Sequence, residues 1–139
     1  MDTAVKVLLI DDYLPVRRTI RDLLRQIGFR SVEDTGDVDK ALAKLHEAPF
    51  GLVICDWMME PVSGIELLKQ IRSDEKLKDT PFIMVTAKGT KVDVMEAMEA
   101  GVNDFIVKPF NLRTLKSKVE TVLDATEHAA AEKPSENAP

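Results

Sequence analysis

Short runs of mainly apolar residues recur along the chain, and most of them stop abruptly at a polar residue. They cover residues 5–10, 51–55, 81–85 and 104–107, with a weaker run at 30–34. Continuous hydrophobicity of this kind is typical of strands that are buried on both faces of a parallel sheet. The clearest run, Gly51–Cys55, leads directly into Asp56. We therefore predict five strands whose polar carboxyl ends share one edge of a sheet.

Segments with helical spacing of apolar residues separate these strands. We predict helices over residues 14–27, 37–46, 63–72, 91–100 and 111–126. Pro15 suits the first turn of the first helix and Gly28 its end, while Asp37 and Asn111 suit N-cap positions. Strands that alternate with helices predict an α/β fold, a parallel sheet with helices on both faces.

The first helix carries a basic stripe on the side away from its apolar face. Arg17, Arg21 and Arg25 form this stripe. We interpret it as a solvated face, with a docking face for an acidic partner as the alternative.

The domain boundary follows from composition. Residues 1–126 form one domain with one core, as the length of 139 residues suggests. Residues 127–139 are Ala, Glu, Lys, Pro, Ser, Asn and His, which cannot bury a core. We predict a disordered tail there.

Charge and hydropathy exclude several classes of protein. The net charge of −5 argues against nonspecific nucleic-acid binding. Neither a run of about 20 apolar residues nor a secretory signal pattern is evident, so we expect a cytoplasmic protein that does not enter membranes. The single cysteine, Cys55, forbids an internal disulfide, and we expect it to be a small buried hydrophobic side chain.

Three acids end two of the predicted strands. Asp11 and Asp12 follow the first strand and Asp56 the third. Like charges about 4 Å apart repel by roughly 4 kcal/mol at an effective dielectric near 20, so such a cluster is partly protonated or holds a cation. Ligands that are all oxygen favour Mg²⁺ over zinc. The alternative is that these acids only cap loops and helices.

Thr86 and Lys108 follow the fourth and fifth strands and should reach the same edge. A hydroxyl and an ammonium beside a metal are what a bound phosphoryl group requires. An aspartate in such a site can accept phosphate as an acyl phosphate. Taken singly, Thr86 could instead cap a turn and Lys108 could pair with an acid.

These segments together resemble the response-regulator receiver family of two-component signalling, and within it the stand-alone, CheY-like chemotaxis regulators. The segments are Leu9–Asp12, Ile54–Trp57, Met84–Ala87 and Val107–Phe110. The resemblance covers about residues 4–125. It implies a flavodoxin-like sheet of order 2-1-3-4-5, for which CheY is a standard example.

The resemblance also implies roles for individual residues. Asp56 would be the phosphoacceptor, and Thr86 and Lys108 would hold the phosphoryl oxygens. Mg²⁺ would be bound by the carboxylates of Asp11, Asp12 and Asp56 and the backbone carbonyl of Met58. Thr86 and Phe105 would form the switch.

Partners follow from the same resemblance. A sensor histidine kinase would donate the phosphoryl group, with the first helix as part of its docking surface. A downstream protein would bind the face formed by the fourth helix, fifth strand and fifth helix. The flagellar motor switch is one such target, and relay intermediate, phosphate sink and adaptor are the other roles. We expect a monomer or a weak dimer, with no nucleic-acid partner.

A phosphohydrolase of the haloacid-dehalogenase type is the alternative of a different class. Its nucleophile follows the first strand in an Asp-x-Asp arrangement, whereas here Asp11 and Asp12 are adjacent and no cap domain is present.

Three positions depart from the family pattern. Glu60 stands where proline is usual, with Pro61 after it, and Met58 and Lys88 stand where polar and acidic side chains are common. Neither Met nor protonated Lys can accept a proton from attacking water. We therefore predict a long-lived acyl phosphate.

Overall fold

A computed structural model describes residues 1–87 and 91–132 of the chain. In these ranges strands and helices alternate without exception. The strands are β1 (Val7–Ile10), β2 (Val32–Thr35), β3 (Leu52–Asp56), β4 (Phe82–Thr86) and β5 (Asp104–Val107). The helices are α1 (Leu14–Ile27), α2 (Val38–Glu47), α3 (Gly64–Ser73), α4 (Lys91–Ala100) and α5 (Leu112–Glu132).

All strand pairs are parallel, and the sheet order is β2-β1-β3-β4-β5. This confirms the predicted fold class and topology. Because successive residues of a strand face opposite sides, each strand supplies two layers of core. Leu8 and Ile10 of β1 pack in the cluster that includes α2, α3 and Ala97 of α4. Val7 and Leu9 pack in the cluster that includes α1 and α5.

Local signals in the sequence fix several element ends. The Asp37 side chain accepts a hydrogen bond from the backbone N–H of Lys40 at 3.1 Å, as an N-cap should. Asn111 does the same for Thr114 at 2.9 Å. Gly28 ends α1 at φ 128°, a left-handed conformation that favours glycine.

Several predicted boundaries differ by one or two residues from those observed. β1 begins at Val7 and β2 at Val32, because strand pairing starts where these two residues come opposite each other. The larger difference is α5, which continues to Glu132, six residues into the predicted tail. Alanine and glutamate are strong helix formers, which favours continuation of the helix through this stretch. Residues 133–139 lie outside the described range.

Within residues 1–87 and 91–132, every helix is too short or too polar to cross a membrane.

Candidate functional site

The carboxyl ends of four strands bring the predicted site residues to one edge of the sheet. Strand register places Ile10 beside Cys55, and therefore Asp11 near Asp56. Asp56 lies beside Val85, and Thr86 beside Val107. The carboxyl ends of parallel strands share one edge of the sheet, and a polar residue follows each apolar run there. Open α/β sheets bind ligands at this edge.

The three acids converge as predicted. One carboxylate oxygen of each of Asp11, Asp12 and Asp56 lies within 4.8 Å of the others. Asp11 and Asp56 are buried, at 1% and 7% exposure, while Asp12 is exposed. Burial raises the pKa of the Asp56 carboxyl, Lys108 opposes this, and the charges of Asp11 and Asp12 add to it.

Lys108 supplies the positive charge of the cluster. Its Nζ donates to Asp56 Oδ1 at 3.1 Å and lies 3.7 Å from Asp11 Oδ2. A backbone contact anchors this lysine, since its N–H donates to the Thr86 carbonyl at 2.7 Å. Within residues 1–87 and 91–132, Lys108 therefore lies against two of the three carboxylates.

The donor set fits a hard divalent cation. Asp11 Oδ1 accepts a hydrogen bond from the Tyr13 N–H, but the buried Asp11 Oδ2 has no hydrogen-bond partner among the described residues. A buried oxygen of this kind is costly unless something binds it. Carboxylate ligands without a nearby imidazole or thiolate suit Mg²⁺. The Cys55 thiol is not a competitor, because burial raises its pKa and its Sγ donates to the Asp56 carbonyl.

The two predicted switch residues lie on adjacent strands. Thr86 is buried at the end of β4, at 3% exposure. Phe105 of β5 lies opposite Met84 and is partly buried against the core. The Lys118 ammonium stands 5.3 Å from the centroid of its ring. Their function as a switch remains a prediction.

The loop after Asp56 packs closely on the start of α3. Gly64 donates its N–H to the Trp57 carbonyl at 2.9 Å. A Cβ at this position would collide with the Asp56 carbonyl oxygen and stand 2.9 Å from Met84 Sδ. Only glycine therefore allows α3 to approach the end of β3 this closely.

The positions that depart from the family pattern lie around this loop. The Met58 side chain is 58% exposed and Glu60 is also exposed. The peptide bonds before Pro61 and Pro109 are cis. Lys88 lies outside the described residues. The Met58 carbonyl as a metal ligand remains a prediction.

The arginine stripe of α1 is not the solvated face we predicted. Arg17 Nε and Arg21 Nη1 both donate to the Asp34 carboxylate, at 2.6 and 2.5 Å, and only Arg25 is exposed. Arg17 Nη1 also donates to the Asp11 carbonyl at 2.7 Å. Helical spacing could not reveal this, because the acid comes from the next strand and not from the helix itself. The available signal was the pair of acids Glu33 and Asp34 in the short segment that follows the first helix.

Comparison with known proteins now assigns the class. A family model described as the response regulator receiver domain matches residues 7–120. The chain therefore belongs to the response regulator receiver family, whose members are signalling proteins, and not to the phosphohydrolases.

Its relatives include chemotaxis proteins. The chain is 41% identical over 120 residues to the chemotaxis protein CheY of Pseudomonas aeruginosa, covering 86% of this chain and 97% of that protein. It is 42% identical to the chemotaxis protein CheY-3 of Vibrio cholerae, covering 86% and 92%. The solved structure of Vibrio cholerae CheY4 superposes with a TM-score of 0.81 at 33% identity, covering 86% and 99%.

Proposed function

We propose that the protein is a phosphoacceptor in two-component signalling, with Asp56 as the residue that is phosphorylated. The observation that carries this proposal is the position of Lys108 Nζ, 3.1 Å from an Asp56 oxygen inside a cluster of acids. If Lys108 and Asp56 formed only a structural ion pair, two more carboxylates beside them would serve no purpose. A site that must neutralise an incoming phosphoryl group needs both the lysine and the metal that the acids can hold.

The proposed donor is the phosphohistidine of a sensor histidine kinase. An Asp56 carboxylate oxygen attacks phosphorus and forms a P–O bond. The N–P bond of the donor breaks, its electron pair stays on the imidazole nitrogen, and that nitrogen takes a proton from solvent. The protein contributes positioning and charge neutralisation, with Lys108 Nζ and the Thr86 hydroxyl on the phosphoryl oxygens.

Mg²⁺ is the proposed cofactor. The carboxylates of Asp11, Asp12 and Asp56, with the Met58 carbonyl, would hold it. When bound, it supplies positive charge that offsets the phosphoryl oxygens. The only catalysis we assign to the protein is its own phosphorylation and dephosphorylation.

The output surface is proposed to be the face formed by α4, β5 and α5. This face carries several exposed apolar side chains. They are Met95, Met98, Val107 and Leu112, between 36% and 61% exposed. Such side chains suit a partner's hydrophobic surface. Movement of Thr86 toward the phosphoryl group would let Phe105 turn inward and reshape this face.

Control of motility is the pathway we favour, because the relatives named above are chemotaxis proteins. The flagellar motor switch would then be the partner, and the protein would act in the cytoplasm as a monomer or weak dimer. Loss of directional switching on deletion of the gene would support this. Normal taxis would instead point to a relay intermediate, a phosphate sink or an adaptor.

The phosphoacceptor proposal can be tested with the fluorescence of Trp57, the single tryptophan, which adjoins Asp56. Acetyl phosphate with Mg²⁺ should change the emission of the parent protein. The Asp56→Asn variant should show no response to acetyl phosphate. Steady release of phosphate from a generic phosphomonoester, or an undiminished response in Asp56→Asn, would contradict the proposal.

A further inference from the structure

Arg17 occupies an unusual position for a helix-surface arginine. It lies in the first turns of α1 with its side chain 17% exposed, and its guanidinium joins two elements. Nε donates to Asp34 Oδ2 at 2.6 Å, which ties it to β2. Nη1 donates to the backbone carbonyl of Asp11 at 2.7 Å, which ties it to the acidic end of β1. The planar guanidinium makes both bonds at once through two different nitrogens, whereas a lysine at the same place has a single nitrogen to donate from.

The carbonyl that Arg17 holds belongs to the peptide joining Asp11 to Asp12. Because a peptide is planar, fixing its oxygen also fixes the nitrogen and Cα of Asp12. The Asp11 N–H donates to the Thr35 carbonyl at 3.1 Å, so this end of β1 is already held on its other side. The contact from Arg17 completes the restraint on the turn that presents both acids.

The packing around this contact is tight. A Cβ added to Gly36, in the turn after β2, would stand 2.8 Å from Arg17 Nη1 and 3.3 Å from the Asp11 carbonyl oxygen. The same Cβ would stand 3.4 Å from Asp12 Cα. The guanidinium therefore fills the space between the acidic turn and the neighbouring turn, against the backbone that carries both acids.

We propose that Arg17, oriented by Asp34, is a positioning residue that sets the arrangement of Asp11 and Asp12 for binding a divalent cation. This inference rests on the Mg²⁺ site of the proposed function. It assigns the arginine a role inside the site, in place of a docking role on the helix surface. Residues that orient metal ligands through a hydrogen bond change metal affinity by about 10–100-fold when they are lost.

Arg21 provides a matched control. It lies one turn along α1, and its Nη1 donates to the same Asp34 carboxylate at 2.5 Å. Arg17→Gln and Arg21→Gln remove the same charge and each removes one ion pair to Asp34. Only Arg17→Gln also removes the bond to the Asp11 carbonyl. A difference between the two variants therefore isolates that bond.

The experiment is a Mg²⁺ titration followed by Trp57 fluorescence, with thermal unfolding in EDTA measured on the same samples. Arg17→Gln should weaken Mg²⁺ binding by about tenfold. Arg21→Gln should stay within about twofold of the parent, although both variants lose stability. Arg17→Lys keeps the charge and therefore serves as a second variant in case Arg17→Gln does not fold. Its Mg²⁺ affinity should lie between those of Arg17→Gln and the parent.

The outcomes separate this inference from the proposed function. A parent that responds to Mg²⁺ with an unchanged affinity in Arg17→Gln overturns the role of Arg17 alone. Equal losses in Arg17→Gln and Arg21→Gln overturn it too, because the effect would then come from Asp34. A parent without any Mg²⁺ response overturns the metal site and the Arg17 role with it.

Discussion

Replacing Asp56 with asparagine should stabilise the protein when no divalent cation is present. At an effective dielectric near 20, the Asp11 and Asp56 charges, within 4.8 Å, repel by about 3.5 kcal/mol. Asp12 adds repulsion of the same sign, and burial of the carboxylate costs several kcal/mol more. The attraction between Lys108 Nζ and Asp56 Oδ1, 3.1 Å apart, offsets this by about 5 kcal/mol. The two repulsions, about 7 kcal/mol together, exceed the attraction by about 2 kcal/mol before burial is counted, so we expect a net gain of at least about 2 kcal/mol for the neutral side chain.

Thermal unfolding in EDTA near pH 7.5 measures this gain, which corresponds to a rise in Tm of roughly 5–10 °C for a domain of this size. The sign agrees with the raised pKa of Asp56. A carboxyl whose pKa is raised by folding destabilises the folded state when it is ionised, so the gain should shrink as the pH falls and Asp56 takes up a proton. Asp22→Asn, on the exposed face of α1, controls for net charge. An unchanged or lower Tm for Asp56→Asn, or an equal rise for Asp22→Asn, would refute the reasoning.

Three further expectations concern the neighbourhood of the site. Met58→Asn combined with Lys88→Glu should shorten the lifetime of the acyl phosphate, because both new side chains can orient attacking water. Loss of phosphate no faster than in the parent would contradict this expectation. Gly64→Ala should destabilise by about 1–3 kcal/mol in urea, since its Cβ collides with the Asp56 carbonyl. A more stable variant would mean that helix propensity outweighs the collision. Cys55 is fully buried, so a maleimide should label it only after unfolding; rapid labelling of the folded protein would contradict this.

The fold was predictable because each element carries its own signal. The apolar run 51–55 is followed by Asp56, the last residue of β3, and Asp37 caps the helix it was predicted to cap. The convergence of acids followed from one topological fact, that parallel strands share a carboxyl edge. Residues that lie directly after strands could therefore be placed without coordinates.

The contacts that the sequence could not supply are side-chain contacts between neighbouring elements. The hydrogen bonds of Arg17 to Asp34 and to the Asp11 carbonyl depend on the orientation of α1 relative to β2. The spacing of apolar residues along the helix does not predict that orientation. Lys118 over the ring of Phe105 is of the same kind. The end of α5 at Glu132 has a different cause, because low hydrophobicity alone does not predict where a helix rich in Ala and Glu ends.

The central claim is that Asp56 is the phosphoacceptor, and intact-protein mass spectrometry tests it most directly. Protein incubated with Mg²⁺ and a small phosphodonor such as acetyl phosphate or phosphoramidate should gain the mass of one phosphoryl group. Asp56→Asn treated in the same way should gain none, and EDTA should suppress the gain in the parent. An equal mass gain in Asp56→Asn, or no gain in a parent that binds Mg²⁺, would contradict the account.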